Sequence, residues 1–185
     1  PPDDRLLPAV MIWGAGITMD RITPPLKPVW VGQGKNPVAL MRSSWTDKNA
    51  IYAGLKAGSP SVNHAHMDAG SFVMEAEGVR WAMDFGMQDY NSLEAAGVNL
   101  WGMSQNSQRW QVFRYNNFVH NTLTVNSQLQ KVDGYSMITS FSANPPMINA
   151  VTDISSLYCD DLKKAERGIA IIDNKYVMVR DEVEA

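Results

Sequence analysis

Short apolar runs bounded by Gly, Asn and Asp fill the chain from residue 37 onward, and this pattern predicts β-strands. Glu77-Gly78 and Asp173-Asn174 each stand between two such runs, as the turn of a β-hairpin does. Many short strands separated by turns, with no internal repeat, predict an all-β fold, an antiparallel β-sandwich. The predicted strands are Val38–Arg42, Ala50–Leu55, Ser71–Ala76, Val79–Asp84, Thr122–Asn126, Met137–Ala143, Ile148–Ile154, Gly168–Ile172 and Lys175–Arg180.

Two segments depart from this strand pattern. Prolines and glycines punctuate residues 1–36, which predicts a linker or peripheral segment with a short helix or strand at Leu6–Trp13. Residues 87–117 are rich in Asn, Gln, Ser and Trp and have little periodicity. They predict a long surface excursion with a short helix near Ser104–Trp110, and loops of that length are uncommon unless they build a site. The domain division is therefore residues 1–36 and residues 37–185.

Composition and charge narrow the function classes. The chain has 185 residues, a net charge of -3 and no run of Lys or Arg, so a nucleic-acid-binding surface is not expected. The single cysteine, Cys159, cannot form a disulfide within the chain. No apolar run is long enough for a membrane span, and no signal peptide is evident. Since the chain begins at Pro1 rather than Met, we interpret it as a fragment or processed product.

The histidines indicate a divalent-metal site. Two of the three, His64 and His66, are separated by one residue just before a predicted strand. In an extended backbone such residues point to the same face. Asp84 ends the second strand of the predicted hairpin, and His120 opens the next strand. Imidazole nitrogens with a carboxylate suit Zn²⁺, and the spacing leaves open which three of these four groups are ligands.

Three blocks of sequence, in order, resemble the heparinase II/III-like polysaccharide lyases. The first is Asn63-His64-Ala65-His66-Met67-Asp68-Ala69-Gly70-Ser71-Phe72, the second is Gly78–Gly86 followed by Tyr90, and the third opens with His120-Asn121-Thr122. The resemblance spans roughly residues 38–130. It implies an N-terminal (α/α) toroid of helices joined to a supersandwich-like antiparallel β-sandwich, of which this chain holds the front.

The resemblance also implies a chemistry and divides the histidines. Such enzymes cleave uronic-acid polysaccharides, heparin- or heparan-sulfate-like or alginate-like, by β-elimination. His66, Asp84 and His120 are then zinc ligands with a structural role, while His64 faces the substrate as acid or base. The residue types fit, because His titrates near neutrality and the Asn63 amide can hydrogen-bond a uronate carboxylate.

Three further polar or aromatic residues of the excursion are candidate substrate contacts. Arg109 and Arg114 can fork onto carboxylate or sulfate, and Trp110 can stack on a sugar face. The alternative is that these three side chains pack on the sandwich. A Tyr90 phenol can shuttle a proton, shape the cleft or pack. The family takes its main catalytic Tyr and a further His from the helical toroid, outside this chain.

Two other functions stay open from sequence. One is a carbohydrate-binding or structural module without chemistry, and the other is a hydrolase in which the metal activates water. The expected partners are an anionic uronate polysaccharide and the toroid domain of the parent chain, and a homodimer is also allowed. The family resemblance alone suggests a periplasmic or secreted location.

Overall fold

The structure is a computed structural model that describes residues 6–185. Its first half forms a five-stranded antiparallel sheet in which each strand pairs with the next along the chain. Its second half forms a four-stranded antiparallel sheet with the same simple order. The strands are β1 (Val29–Gly32), β2 (Val38–Arg42), β3 (Tyr52–Lys56), β4 (Phe72–Ala76), β5 (Val79–Ala82), β6 (Met137–Ser142), β7 (Met147–Asp153), β8 (Lys164–Ile172) and β9 (Tyr176–Glu184).

The two sheets pack face to face around one apolar core, which confirms the antiparallel β-sandwich. Alternate residues of each inner strand point inward, as the period of two requires. Met41 and Leu55 of the first sheet meet Ile148, Ile169 and Ile171 of the second, and all five are almost fully buried. Complete burial of each such side chain stabilises the fold by roughly 1.5–3 kcal/mol.

Both predicted hairpin turns are present. Glu77 and Gly78 join β4 to β5 with φ of 54° and 71°. Asp173, Asn174 and Lys175 join β8 to β9, and φ is 53° and 54° at the first two. Positive φ at both central residues is the backbone of a type I′ turn, whose twist matches that of the flanking strands.

Helical structure is short and lies outside the sheets. The α-helices are α1 (Leu7–Trp13), within the predicted Leu6–Trp13 element, and α2 (Tyr90–Ala95), at the start of the excursion. The side chain of Asp89 caps α2 by accepting a hydrogen bond from the Ser92 backbone N–H at 2.8 Å. Among residues 6–185, neither α-helix is long or apolar enough to cross a lipid bilayer. The 3₁₀ turns are Met19–Arg21, Gln108–Gln111, Phe113–Tyr115 and Ser155–Leu157.

Two features differ from the sequence prediction. The sheet begins at β1, inside the segment that the Pro and Gly pattern assigned to a linker, and residues 1–5 of that segment lie outside the described residues. The predicted strand Thr122–Asn126 is wrong, because this stretch pairs with no other strand in the described chain. Its Leu123 and Val125 still pack against a buried cluster around Ile154, which explains the alternating apolar pattern.

Candidate metal centre and the adjacent histidine

His64 and His66 occupy different surroundings, although they are separated by one residue. The backbone at His64 has φ of 63°, so the segment is a turn rather than an extended strand, and the prediction that both rings share one face is wrong. The His66 ring lies 4.5 Å from that of Tyr115 and 5.5 Å from that of His120, between centroids. The His64 ring instead lies beside Tyr90, in the exposed part of the fold.

His66 and His120 come together with a carboxylate in a group that can hold a metal ion. Among residues 6–185, the nearest ligand atoms of His66, Asp68 and His120 all lie within 4.8 Å of one another. Nε2 of His120 is buried and has no hydrogen-bond partner in the described part of the chain. A buried nitrogen with a free lone pair is costly unless something binds it, and a divalent cation would satisfy it. The residues therefore fit the predicted metal.

Asp84 is hydrogen-bonded to Nδ1, the other nitrogen of the His120 ring. Its Oδ2 is 2.6 Å from Nδ1, and this hydrogen bond, more than any other contact, lowers the pKa of Asp84 to about 2. A carboxylate that accepts from Nδ1–H fixes the imidazole tautomer and leaves Nε2 free to ligate. The structure thus brings Asp84 to the predicted site but places Asp68, rather than Asp84, within ligating reach of both histidines. Asp68 in turn forms an ion pair with Lys56.

Burial sets the protonation of the second histidine. The pKa of His66 is lowered to about 4, chiefly because desolvation disfavours the imidazolium, with the charges of His120 and Arg109 acting in the same direction and that of Asp68 opposing them. A neutral imidazole at neutral pH is the form that binds a metal.

Two side chains lock the loops that carry these histidines. The Asn121 amide donates at 2.9 Å to the carbonyls of Phe72 and Met83, which holds the residue after His120 against both strands of the β4–β5 hairpin region. Arg167 of β8 donates to the carbonyls of Gly70 and Asn121 at 2.9 and 2.7 Å. The second sheet therefore fixes the relative position of the two motif loops.

His64 is exposed and paired with the predicted Tyr90. Its Nδ1 shares a hydrogen bond of 3.1 Å with the Tyr90 hydroxyl, and the two rings stack with centroids 5.7 Å apart. Asn63 is exposed in the same turn. Trp101, which the sequence interpretation did not single out, stands perpendicular to the rings of both His64 and Tyr90. An exposed imidazole with one nitrogen held by a phenol can exchange a proton through the other nitrogen.

The three predicted substrate contacts have different surroundings. Arg109 is only 1% exposed and Trp110 only 2%, so the predicted contact of these two side chains with a polysaccharide is wrong in this structure. The Arg109 guanidinium donates twice to the Ala65 carbonyl and once to that of Leu100. These bonds tie the segment between the two histidines to the middle of the excursion, and sequence spacing offers no signal for them.

Arg114 is half-buried and donates to the carbonyls of Phe85 and Met87 at 2.7 and 3.2 Å. It joins the 3₁₀ turn Phe113–Tyr115 to the chain that leaves β5. Its predicted role as a substrate contact is compatible with this position and stays a prediction.

Comparisons with known proteins agree with this architecture. The family model described as "Heparinase II/III-like, C-terminal" matches residues 38–185. Heparan sulfate lyase HepC from Pedobacter heparinus is 21% identical, with a TM-score of 0.63 over 86% of this chain and 22% of its own. A crystal structure of heparinase III is 16% identical, with a TM-score of 0.66 over 87% of this chain and 23% of its own. No curated protein matches the sequence. The chain spans about a quarter of the length of these solved structures, and at this identity they show the fold alone.

Proposed function

This chain belongs to the heparinase II/III-like C-terminal family, and from that premise we propose that it is the metal-bearing β-sandwich part of a polysaccharide lyase. The full-length protein would cleave a uronic-acid polysaccharide, heparan-sulfate-like or alginate-like, by β-elimination. Three histidines, His64, His66 and His120, would carry the roles in this reaction.

The observation that carries the proposal is the division between His64 and the His66–His120 pair. His120 is buried with its Nε2 unpaired among residues 6–185, and His66 is half-buried beside it. His64, in contrast, is exposed and hydrogen-bonded to Tyr90. A metal at the His66–His120 pair would lie apart from the exposed ring of His64. Such a position suits a scaffold, and it leaves the exposed imidazole free for proton transfer.

The elimination requires a base and an acid, and these residues can supply one of the two. The C5–H bond breaks as a base takes the proton, the C4–O bond to the next sugar breaks, and a C4–C5 double bond forms. The departing oxygen gains a proton from an acid. His64 exchanges a proton with the substrate as base or acid, and Tyr90 holds the imidazole in one orientation through Nδ1.

The C5 proton is weakly acidic because the neighbouring carboxylate is already negative. The exposed amide of Asn63, next to His64 in the same turn, would donate a hydrogen bond to that carboxylate. This bond strengthens as negative charge builds up on the carboxylate in the transition state. The remaining acid or base would come from outside residues 1–185.

His66 and His120 would supply two nitrogens to zinc, Asp68 is the carboxylate within reach of both, and the predicted ligand Asp84 would orient the His120 ring through Nδ1. When bound, the ion supplies a fixed positive charge and a cross-link between the two motif loops. No proton-transfer step depends on it, because elimination needs no activated water.

The test uses the full-length protein. It is mixed with heparan sulfate, heparin, alginate and hyaluronan, and ultraviolet absorbance of the new double bond is followed. We expect absorbance to rise on at least one of these polysaccharides and to be nearly abolished by His64→Ala. Absence of the unsaturated product on all four would contradict the proposal.

A further inference from the structure

Trp101 is a large aromatic side chain that stays open beside His64. Its side chain is 55% exposed, although a tryptophan ring is normally buried when its surroundings allow it. Its one polar atom, Nε1, already donates to the Glu94 carboxylate at 2.8 Å. Because Nε1 already has a partner, the indole offers a ligand its apolar ring rather than a free donor.

The ring stands at a defined angle to the candidate proton-transfer pair. Its centroid is 5.8 Å from that of His64 at an interplanar angle of 81°, and 5.3 Å from that of Tyr90 at 83°. Since His64 and Tyr90 stack nearly parallel and the Trp101 centroid is about equally far from both, Trp101 lies alongside their stack. A sugar bound at His64 would therefore lie close to this ring.

Hydrogen bonds to the residues before and after Trp101 hold its backbone in place. The Leu100 carbonyl accepts from the buried Arg109 guanidinium at 3.1 Å, and the Gly102 carbonyl accepts from the Ser107 hydroxyl at 2.6 Å. Arg109 also donates to the carbonyl of Ala65, the residue after His64. One buried side chain thus sets the distance between the Trp101 loop and the turn that carries His64.

On the premise of the lyase function proposed above, we propose that Trp101 is a substrate-binding residue that stacks on the apolar face of a pyranose next to the uronate at His64. Glu94 is a positioning residue that holds the indole through Nε1. The Glu94 carboxylate would repel a sulfate or carboxylate at this point. The ligand surface at Trp101 is therefore the uncharged C–H face of the sugar rather than its acidic groups.

The experiment measures kcat and KM of the full-length lyase on heparan sulfate and on alginate. Trp101→Ala is expected to raise KM about tenfold with little change in kcat, because stacking holds substrate and transition state alike. Trp81→Ala is the matched control, since Trp81 is also an exposed indole and its Nε1 donates to the Ala76 carbonyl. We expect its KM to stay at the wild-type value. A Trp101→Ala enzyme with wild-type KM, or with reduced kcat alone, would overturn the inference.

Glu94 gives a second test that does not depend on removing the ring. Glu94→Ala should raise KM, whereas Glu94→Gln should restore it, because the amide oxygen still accepts from Nε1. Equal KM values for these two variants would also overturn the inference. A wild-type protein that cleaves none of heparan sulfate, heparin, alginate and hyaluronan contradicts the lyase function itself, so the two failures are distinguishable.

Discussion

Two carboxylates flank the His66–His120 pair, and their other contacts give them different roles. Asp84 acts on His120 directly, whether it ligates the metal or orients the ring through Nδ1. Asp68 lies within reach of both histidines but is neutralised by Lys56, and a metal would have to replace that ion pair. Metal binding would therefore depend more on Asp84 than on Asp68.

We therefore expect Asp84→Asn to lower zinc affinity about 10–100-fold, with a smaller effect of Asp68→Asn. His66→Ala should lose the metal altogether. Elemental analysis after dialysis against a zinc buffer measures all three variants beside the wild type. A larger loss in Asp68→Asn than in Asp84→Asn would assign the third ligand to Asp68.

The half-buried His66 makes the free energy of unfolding depend on pH. Its folded pKa of about 4 lies below the ordinary value of 6.5, so the unfolded chain binds the proton more readily. The contribution of the neutral His66 ring to the free energy of unfolding is fully present above pH 6.5 and is lost as the pH falls towards 4. We expect the metal-free protein to lose up to roughly 3 kcal/mol over this range. Urea unfolding at several pH values measures it. A His66→Asn variant with the same pH slope would contradict this cause.

The residue types of the site could be predicted from sequence, but their grouping could not. His64, His66, Asp84 and His120 stand out by spacing and resemblance. Their separation into two surroundings depends on the positive φ at His64, which spacing does not encode. The structural use of Arg109 and the exposure of Trp101 likewise depend on how residues 87–117 fold back on the sheet.

Among the elements, the turn between His66 and β4 is constrained by both backbone conformation and packing. Gly70 has φ of +80°, and a Cβ there would lie 3.0 Å from the Thr122 hydroxyl and 3.3 Å from the Ile154 side chain. Both the backbone conformation and the packing demand glycine. This turn holds Asp68 and His66 against the segment that follows His120.

Gly70→Ala is expected to destabilise the fold by about 2–4 kcal/mol, since strain and overpacking add. Gly97→Ala is the matched control, because Gly97 has φ of +78° and open space where the Cβ would lie. It should cost about 1–2 kcal/mol, from strain alone. Equal losses of unfolding free energy in the two variants would show that packing at Gly70 contributes nothing.

The alternation of apolar and polar residues predicts strands β2 to β9, which pair in the two sheets. Thr122–Asn126 shows where this fails. The Leu123 carbonyl accepts from the Tyr158 hydroxyl at 2.6 Å, and the Thr122 hydroxyl donates to the Ala69 carbonyl at 2.7 Å. Side chains distant in sequence thus take the place of a strand ladder, and a local pattern cannot reveal them.

For the whole molecule, the metal would cross-link two loops. One carries His66 between β3 and β4, and the other carries His120 after the excursion of residues 87–117. A bound ion present at about 100 times its dissociation constant stabilises the folded state by about 2.7 kcal/mol. For a domain of this size, a strong chelator should lower the unfolding midpoint by roughly 5–10 °C. His66→Ala is the control, and its midpoint should not respond to chelator. An unchanged wild-type midpoint would contradict a stabilising metal.

Elimination and metal-activated hydrolysis differ in the fate of water, and this difference tests the lyase function most directly. The full-length protein would digest heparan sulfate or alginate in water enriched in the heavy oxygen isotope, and the products would be weighed by mass spectrometry. The proposed reaction predicts unsaturated products with no added water and no heavy oxygen. Saturated products that each gain one water, carrying the heavy isotope, would contradict it.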